Sequence, residues 1–289
     1  MIACDLGSNT IRFVEIDCKT KKRVKEFEKI VKTAEDLNKT GEISQKALKR
    51  VLDAIAEAKN IFDFSKGIEA VTTEALRRAK NQKEILDEIF KKTGIRFRVI
   101  SGKEEAFFTN YAVKDLVDTK SYTLIDIGGG STEITLVSDE IFSNSFSLGI
   151  VTLTEEFGLD GLEEGLELKL KEIKEYFKDK KLPELCVATA GTPTTIAAFL
   201  KGMDYDSYNY EKVNKTVLKV SDILQAKEKL IKMPFEERKR WVGVGREDLI
   251  LSGIEIFLGL LKIFNFKECL VVDDGLREGV AKAKCDKKI

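Results

Sequence analysis

Two turns in this sequence are suited to meeting an anion. The apolar run Tyr122–Ile127 is interrupted by Asp126, runs into Gly128-Gly129-Gly130-Ser131-Thr132, and resumes as a second apolar run beginning at Glu133. Near the start, Ile2–Cys4 leads to Asp5, then Leu6-Gly7-Ser8-Asn9-Thr10, then a returning run Ile11–Ile16. Glycines in a tight turn lack a Cβ, reach positive φ and aim several N–H groups at one point with nothing in the way, which is what a phosphate needs. A third turn, Thr189-Ala190-Gly191-Thr192, leaves a strand and opens a helix, where the helix dipole also favours an anion. An acid inside an apolar strand must be paired, protonated or bound to a cation. Asp126 and Glu133, on either side of the glycine turn, form a hard oxygen donor set suited to Mg²⁺, with Asp5 as the matching acid of the first turn. Any one of these turns alone also reads as an ordinary hairpin turn with a capping aspartate. Two related turns, each preceded by an acid, depart from that.

The composition narrows the chemistry further. There are no histidines among the 289 residues. Imidazole-based catalysis, histidine-ligated metals and Ser-His-Asp hydrolysis are therefore excluded, and acid–base work falls to Asp, Glu, Lys, Tyr or Cys. The 49 basic residues balance 49 acidic ones, which argues against a nucleic-acid or membrane-surface binder. The 5 cysteines contain no C-x-x-C pair, and Cys4, Cys186 and Cys269 lie in apolar runs as small hydrophobes. That usage fits a reducing cytoplasm. A strand beginning at Ile2 leaves no room for a signal peptide, and the longest apolar stretch, Ile254 to Phe264, is too short to span a bilayer.

Positioning these turns requires strands and helices in alternation. The spacing predicts strands at Ile2–Cys4, Ile11–Ile16, Ile68–Thr72 and Phe97–Ile100, with Lys19–Lys25 as a charged turn. Helices are predicted over Ser44–Asn60 with Ser44 as N-cap, over Asn81–Lys92 and over Glu104–Leu116. The strand-turn-strand opening then recurs, Asp126 lying 121 residues beyond Asp5. After it come a helix near Leu162–Phe177, a strand at Leu185–Ala188, helices after Thr192, Ser221 and Glu247, a strand at Leu270–Val272 and a helix from Leu276. Similarity at that distance predicts two homologous lobes, residues 1–118 and 119–289, with the last helix, about 275–289, able to pack back on the first lobe.

Seven segments in order resemble the exopolyphosphatase / guanosine pentaphosphate phosphohydrolase (Ppx/GppA) family of the actin–Hsp70–sugar-kinase fold. They are Asp5–Arg12, Thr72–Arg77, Ile100-Ser101-Gly102-Lys103-Glu104-Glu105-Ala106, Ile125–Glu133, Ser147-Leu148-Gly149, Ala190-Gly191-Thr192 and Asp273–Gly279. The glycine turn is common to actin-like ATPases; its combination with Ser-Gly-x-Glu-Glu-Ala is specific. The resemblance implies an α/β protein of two actin-like (ribonuclease H-like) lobes, mixed sheets flanked by helices, with an active site in the interdomain cleft. It implies hydrolysis of the terminal phosphate of inorganic polyphosphate or of guanosine pentaphosphate, by a short two-lobe member lacking the helical extension of longer ones. Two departures stand out: Phe107 where the family usually has arginine, and Pro193 after Gly191-Thr192.

On that resemblance, Glu105 is the general base, with Glu104 beside it raising its proton affinity by like-charge repulsion. Arg77 reaches phosphate oxygens with its fork of donors. Gly7, Ser8, Asn9, Gly128, Gly129, Gly130, Ser131, Gly191 and Thr192 hold phosphates. Asp126, Glu133 and Asp5 hold Mg²⁺, with a monovalent cation as an optional companion. The expected partners are polyphosphate or guanosine pentaphosphate and tetraphosphate, with no nucleic acid and no membrane. A homodimer is open, as Trp241 and Phe235 read either as an interface or as core edge. The balance leans to exopolyphosphatase, because a phosphate-only site needs nothing beyond these motifs. An actin-like ATPase or kinase, and a sensor that binds guanosine polyphosphates or polyphosphate with little turnover, are the rival readings. A long polyanion calls for a basic track, for which Lys178-Asp179-Lys180-Lys181, Arg238-Lys239-Arg240 and Arg246 are candidates, each also a plain solvated face.

Overall fold

Apolar runs set up β1 (Ile2–Leu6) and β2 (Thr10–Ile16), and β3 (Arg23–Ile30) completes a three-stranded antiparallel meander at the start of the chain. In this computed structural model, which describes residues 1–158 and 161–289, β3 forms although only Val24, Phe27 and Ile30 interrupt its charges. The turn closes over Asp17–Lys22, where Asp17 N–H donates to the Lys22 carbonyl, so the strand takes the last part of the expected charged turn Lys19–Lys25. An edge strand has one face in water and accepts such Lys/Glu alternation. After α1 (Leu37–Thr40), helix α2 (Gln45–Ala58) starts where the Ser44 hydroxyl accepts from the Ala47 amide at 3.1 Å. Then come β4 (Ile68–Thr72), α3 (Glu74–Arg78), α4 (Gln82–Thr93), β5 (Phe97–Val99) and α5 (Gly102–Val113). The sheet runs β3-β2-β1-β4-β5, its last two pairings parallel.

The chain leaves this unit between Asp115 and Leu116. The second unit repeats the scheme. A meander of β6 (Tyr122–Ile127), β7 (Thr132–Val137) and β8 (Ile141–Phe146) is followed by α6 (Ile150–Phe157), α7 (Leu162–Tyr176), β9 (Cys186–Thr189) and α8 (Gly191–Leu200). Then follow α9 (Tyr210–Val213), β10 (Thr216–Lys219), α10 (Val220–Lys232), α11 (Phe235–Val242), α12 (Leu249–Ile263) and β11 (Glu268–Val271). Its sheet order, β10-β11-β9-β6-β7-β8, is the first sheet's order with one strand added at an edge. The duplication read from two turns is therefore a duplication of sheet topology. Ile125, Ile127 and Ile134 of the sheet share a core with Ile196 of α8 and with Ile254, Phe257 and Leu261 of α12.

From Asp274 the chain belongs to the first unit again, through α13 (Leu276–Cys285). Val280, Ala281 and Ala283 join Ala3, Val14, Val71 and Phe108 in that unit's core. Helix α13 meets α5 backbone to backbone: a Cβ on Gly279 would sit 1.8 Å from the Phe108 carbonyl oxygen. Buried charges fix its first turn. Arg23 of β3 holds Asp274 at 2.7 Å and Glu278 at 3.4 Å. Arg277 holds Glu278 at 2.6 Å and Glu26 at 3.0 Å, and Lys282 bridges Asp274 and the Ala112 carbonyl. Burial alone would raise the Glu278 pKa, but Arg23 and Arg277 overcome it and bring it down to about 2.

One pairing departs from the cysteine reading. Cys4, Cys186 and Cys269 are buried thiols, pushed up by that burial, Cys269 to about 12. Cys18 and Cys285 form a disulfide, a pairing that the cysteine spacing did not suggest. The turn after β2 and the last turn of α13 converge on one corner although 267 residues separate them. Among the described residues, no helix is long and apolar enough to cross a membrane.

The packing of α13 sets two expectations for stability. Gly279→Ala must push α13 off α5, and overpacking of this kind costs about 1–3 kcal/mol or more, read as a lowered urea midpoint at neutral pH. Glu278 is held below the ordinary glutamate value of about 4.3, so its contribution is full above that value. It drains away as pH falls from about 5 toward about 2. Melts across that range should show the loss, and Glu278→Gln, destabilised at neutral pH by the unpaired arginines, should show a flatter acid limb.

Candidate functional site

The second unit's glycine turn is closed by the Gly128 amide donating to the Ser131 carbonyl at 2.9 Å. Its carbonyls are taken up from behind. Ile150 N–H donates to Gly128, Val151 N–H to Gly129, and the Thr152 hydroxyl to Gly130. The first turn of α6 thus holds the turn by its oxygens, leaving the amides of Gly129, Gly130 and Ser131 as the groups able to address an anion. Close approach at Gly149 makes this possible, since a Cβ there would lie 2.4 Å from the Gly129 carbonyl oxygen. The Ser147-Leu148-Gly149 segment, which sequence reasoning carried without a role, supplies that clearance.

Strand register puts the acids beside this turn. Asp126 of β6 pairs with Glu133 of β7, and Glu133 with Ser145 of β8. Direct cross-strand neighbours share a face, so these side chains stand in one row. Asp126 is 8% exposed and Glu133 2%. The Ser145 hydroxyl donates to Glu133 Oε1 at 2.6 Å. Sequence reasoning missed Ser145 because β8 reads as a polar stretch, Ser-Asn-Ser, with no apolar alternation to flag it. Among the described residues no cluster of three or more carboxylates, thiols or imidazoles stands ready for a metal. Two carboxylates suffice for Mg²⁺, which keeps several waters and takes phosphate oxygens as further ligands. The donor chemistry of Asp126 and Glu133 fits that ion.

In the first unit the corresponding turn has the same closing bond, Gly7 N–H to the Thr10 carbonyl at 2.9 Å. Its carbonyls too are held from behind, Ser8 by the Ala34 amide and Asn9 by the amides of Val31 and Lys32. The row beside it differs: Asp5 faces Arg12, and Arg12 Nε pairs with Glu28 at 2.7 Å. A cation thus stands where the second unit has Glu133, so the stronger case for a divalent ion lies with Asp126 and Glu133.

Arg77 and Glu105 come together in this unit. The last turn of α3 delivers Arg77, whose guanidinium donates to Glu74 at 2.8 Å, to the Ile100 carbonyl at 2.6 Å and to Glu105 Oε2 at 3.2 Å. Burial would lower the Arg77 pKa, but Glu105 and Glu74 more than offset it and the net shift is upward. Glu105, 8% exposed, lies in the first turn of α5. Glu104 points elsewhere. It accepts from the Ser101 amide and pairs with Arg98, which together draw its carboxyl below the usual range. The close partner of Glu105 is thus a cation, not the like charge that the sequence suggested. Phe107 lies about 200° round the helix from Glu105, its ring near that of Tyr111 and half exposed.

The third turn has Ala190 at φ 71, a left-handed conformation rare for a residue with a Cβ, and Gly191 and Thr192 open α8. Pro193 sits in the helix's first turn, where its missing N–H is harmless. Asp126 pairs in parallel with Thr189, so this turn leaves the strand beside the Asp126 row. Several side chains of the basic runs already have partners. Lys178 pairs with Glu175, Lys180 lies over Phe142, Lys239 pairs with Glu236, and Arg240 with Asp204. Arg238 is spent on the carbonyls of Leu230, Met233 and Glu247. Trp241 packs edge-on against Phe199.

A sequence model described as the Ppx/GppA phosphatase family matches residues 15–288. The chain belongs to that family. Its two mixed sheets flanked by helices are the family's actin-like architecture. The chain is 30% identical over a 296-residue alignment to a bifunctional 3-dehydroquinate synthase/phosphatase of Fusobacterium nucleatum, covering 93% of this chain and 44% of that protein. It therefore spans less than half the length of that relative. It is 26% identical to exopolyphosphatase 1 of Mycobacterium leprae, covering 98% of this chain and 88% of that one. Among solved structures, the Aquifex aeolicus Ppx/GppA family member superposes with a TM-score of 0.78 at 30% identity, covering 99% of this chain and 97% of that one.

The clearance at Gly149 predicts its own test. Gly149→Ala forces the glycine turn to shift and should cut phosphate release by about 10²-fold, the size of effect an ångström of misplacement produces. Gly94→Asn is the control. Gly94 ends α4 at φ 77 with open space around it, a left-handed position that asparagine tolerates, so turnover should stay near wild type.

Proposed function

We propose that this family member is a phosphohydrolase that releases the terminal phosphate of inorganic polyphosphate. The observation that carries the reading is the buried Asp126–Glu133 pair standing beside a glycine turn whose carbonyls are all held from behind. The amides of that turn grip the terminal phosphoryl group. Mg²⁺ held by Asp126 and Glu133 would supply charge neutralisation on the phosphoryl oxygens. Glu105 takes the proton from the attacking water as the water oxygen bonds to phosphorus and the bridging P–O bond breaks, its electron pair leaving with the shortened chain. Arg77, fixed by Glu74, holds Glu105 in place and has donors suited to phosphate oxygens. In the first unit, the turn of Gly7, Ser8 and Asn9, its carbonyls held in the same way, offers a second set of amides suited to phosphate.

The mycobacterial relative is named an exopolyphosphatase, which favours polyphosphate over guanosine pentaphosphate as the substrate. A phosphate-release assay with polyphosphate, guanosine pentaphosphate and ATP side by side tests this, with products resolved by chain length. Polyphosphate should shorten from its end with Mg²⁺ present, and chelation should stop it until Mg²⁺ is restored. ATP as the sole substrate would instead identify an ATPase or kinase, and tight binding without turnover a sensor. Glu105→Gln should fold normally and lose about 10²–10⁴-fold in turnover; a variant releasing phosphate at the wild-type rate would remove Glu105 from the mechanism.

A further inference from the structure

Ser145 sets a hydroxyl directly on the buried acid pair, and none of the motifs includes it. It stands on β8 opposite Glu133, donates to Glu133 Oε1 at 2.6 Å, and is itself half buried. Glu133 is 2% exposed, and a carboxylate that deep needs a partner. The kind of partner decides what the acid can still do. A lysine or arginine would pair with the charge and compete with a metal for it. A hydroxyl satisfies one lone pair and fixes the rotamer without bringing a positive charge of its own. The first unit shows the contrasting solution on the same scaffold, where the matching row reads Asp5–Arg12–Glu28 and the ion pair is internal.

We propose that Ser145 is a positioning residue for the divalent cation, holding Glu133 in the orientation in which it and Asp126 share the ion. The inference rests on the reading of Asp126 and Glu133 as the cation's ligands. Groups that orient a metal-binding carboxylate in this way typically contribute about 10–100-fold in metal affinity or activity.

The test uses the full chain and Mn²⁺ alone as probe, with free Mn²⁺ read from its paramagnetic resonance signal. Ser145→Ala should bind Mn²⁺ about 10-fold or more weakly, and Ser145→Thr, which keeps the hydroxyl, should stay within about threefold of wild type. In phosphate release, Ser145→Ala should need correspondingly more Mg²⁺ for half-maximal rate while its KM for polyphosphate at saturating Mg²⁺ is unchanged. Ser145→Cys, close in volume and a poor donor, repeats the comparison should the alanine variant not fold. Wild-type Mn²⁺ affinity in a folded Ala or Cys variant overturns the role of Ser145. Equal loss in the Thr and Ala variants overturns it too, because the effect would then follow packing and not the hydroxyl. A Glu133→Gln variant that binds Mn²⁺ as wild type does would overturn the underlying reading of the acid pair instead.

Discussion

A carboxylate buried at a sheet's end is costly, and the surroundings of Asp126 and Glu133 are arranged around that cost. The pair lies in register across β6 and β7, so both acids stand on one face of the sheet at buried positions. Ser145 meets part of the demand with a hydroxyl, which compensates without cancelling charge. The rest of the local structure holds the glycine turn next to the pair. The first turn of α6 takes the turn's carbonyls, and Gly149 lets the helix come near enough to do so. A site that concentrates negative charge beside anion-seeking amides makes sense when a cation and a phosphate arrive together.

The two units show how one scaffold is put to two uses. Both meanders close their turn with the same amide-to-carbonyl bond and both satisfy the turn's carbonyls from a neighbouring segment. They differ in the row beside the turn. Thr189, Asp126, Glu133 and Ser145 run across four strands in the second unit, while Val71, Asp5, Arg12 and Glu28 hold the matching places in the first. An arginine at one place in that row puts an ion pair, Arg12 with Glu28, where the second unit sets the acids Asp126 and Glu133 side by side. The first unit adds a guanidinium braced by Glu74 and set against Glu105. Shared backbone and divergent side chains are the expected result of duplication, because topology is fixed by the pattern of apolar residues and the row beside the turn is not.

That division also explains what could be read from the sequence. Strands such as Ile68–Thr72 and Tyr122–Ile127, apolar and bounded by polar turns, were legible to the residue, and so was the Ser44 cap of α2. The strand β3 was hidden because an edge strand of mostly Arg, Lys and Glu carries only a sparse apolar signal, and β8 was hidden by its serines and asparagine. Motif residues could be picked out as a set, but their partners could not. Adjacent in sequence, Glu104 and Glu105 invited a like-charge argument. The helix sends them in different directions, one to cap Ser101 and the other to Arg77. The Cys18–Cys285 bond was invisible for the same reason that most long-range contacts are: sequence spacing says nothing about which turn of α13 returns to which corner of the sheet.

The C-terminal motif Asp273–Gly279 is the clearest case of residues whose chemistry is structural. Asp273 belongs to the second unit, where its amide donates to the Asn214 side chain and its carboxylate accepts from the Tyr208 hydroxyl. Asp274 belongs to the first, tied to Arg23 and Lys282. Each acid is thus anchored to its own unit at the point where the chain passes from one to the other. From there Glu278 and Arg277 lock the helix onto β3, and Gly279 lets it lie backbone to backbone on α5, the helix that carries Glu105 in its first turn. Anything that lifts α13 displaces α5, and a displaced α5 moves Glu105 relative to Arg77. A motif near the end of the chain, with its charges spent on structural partners, therefore bears on the proposed base through a single layer of packing.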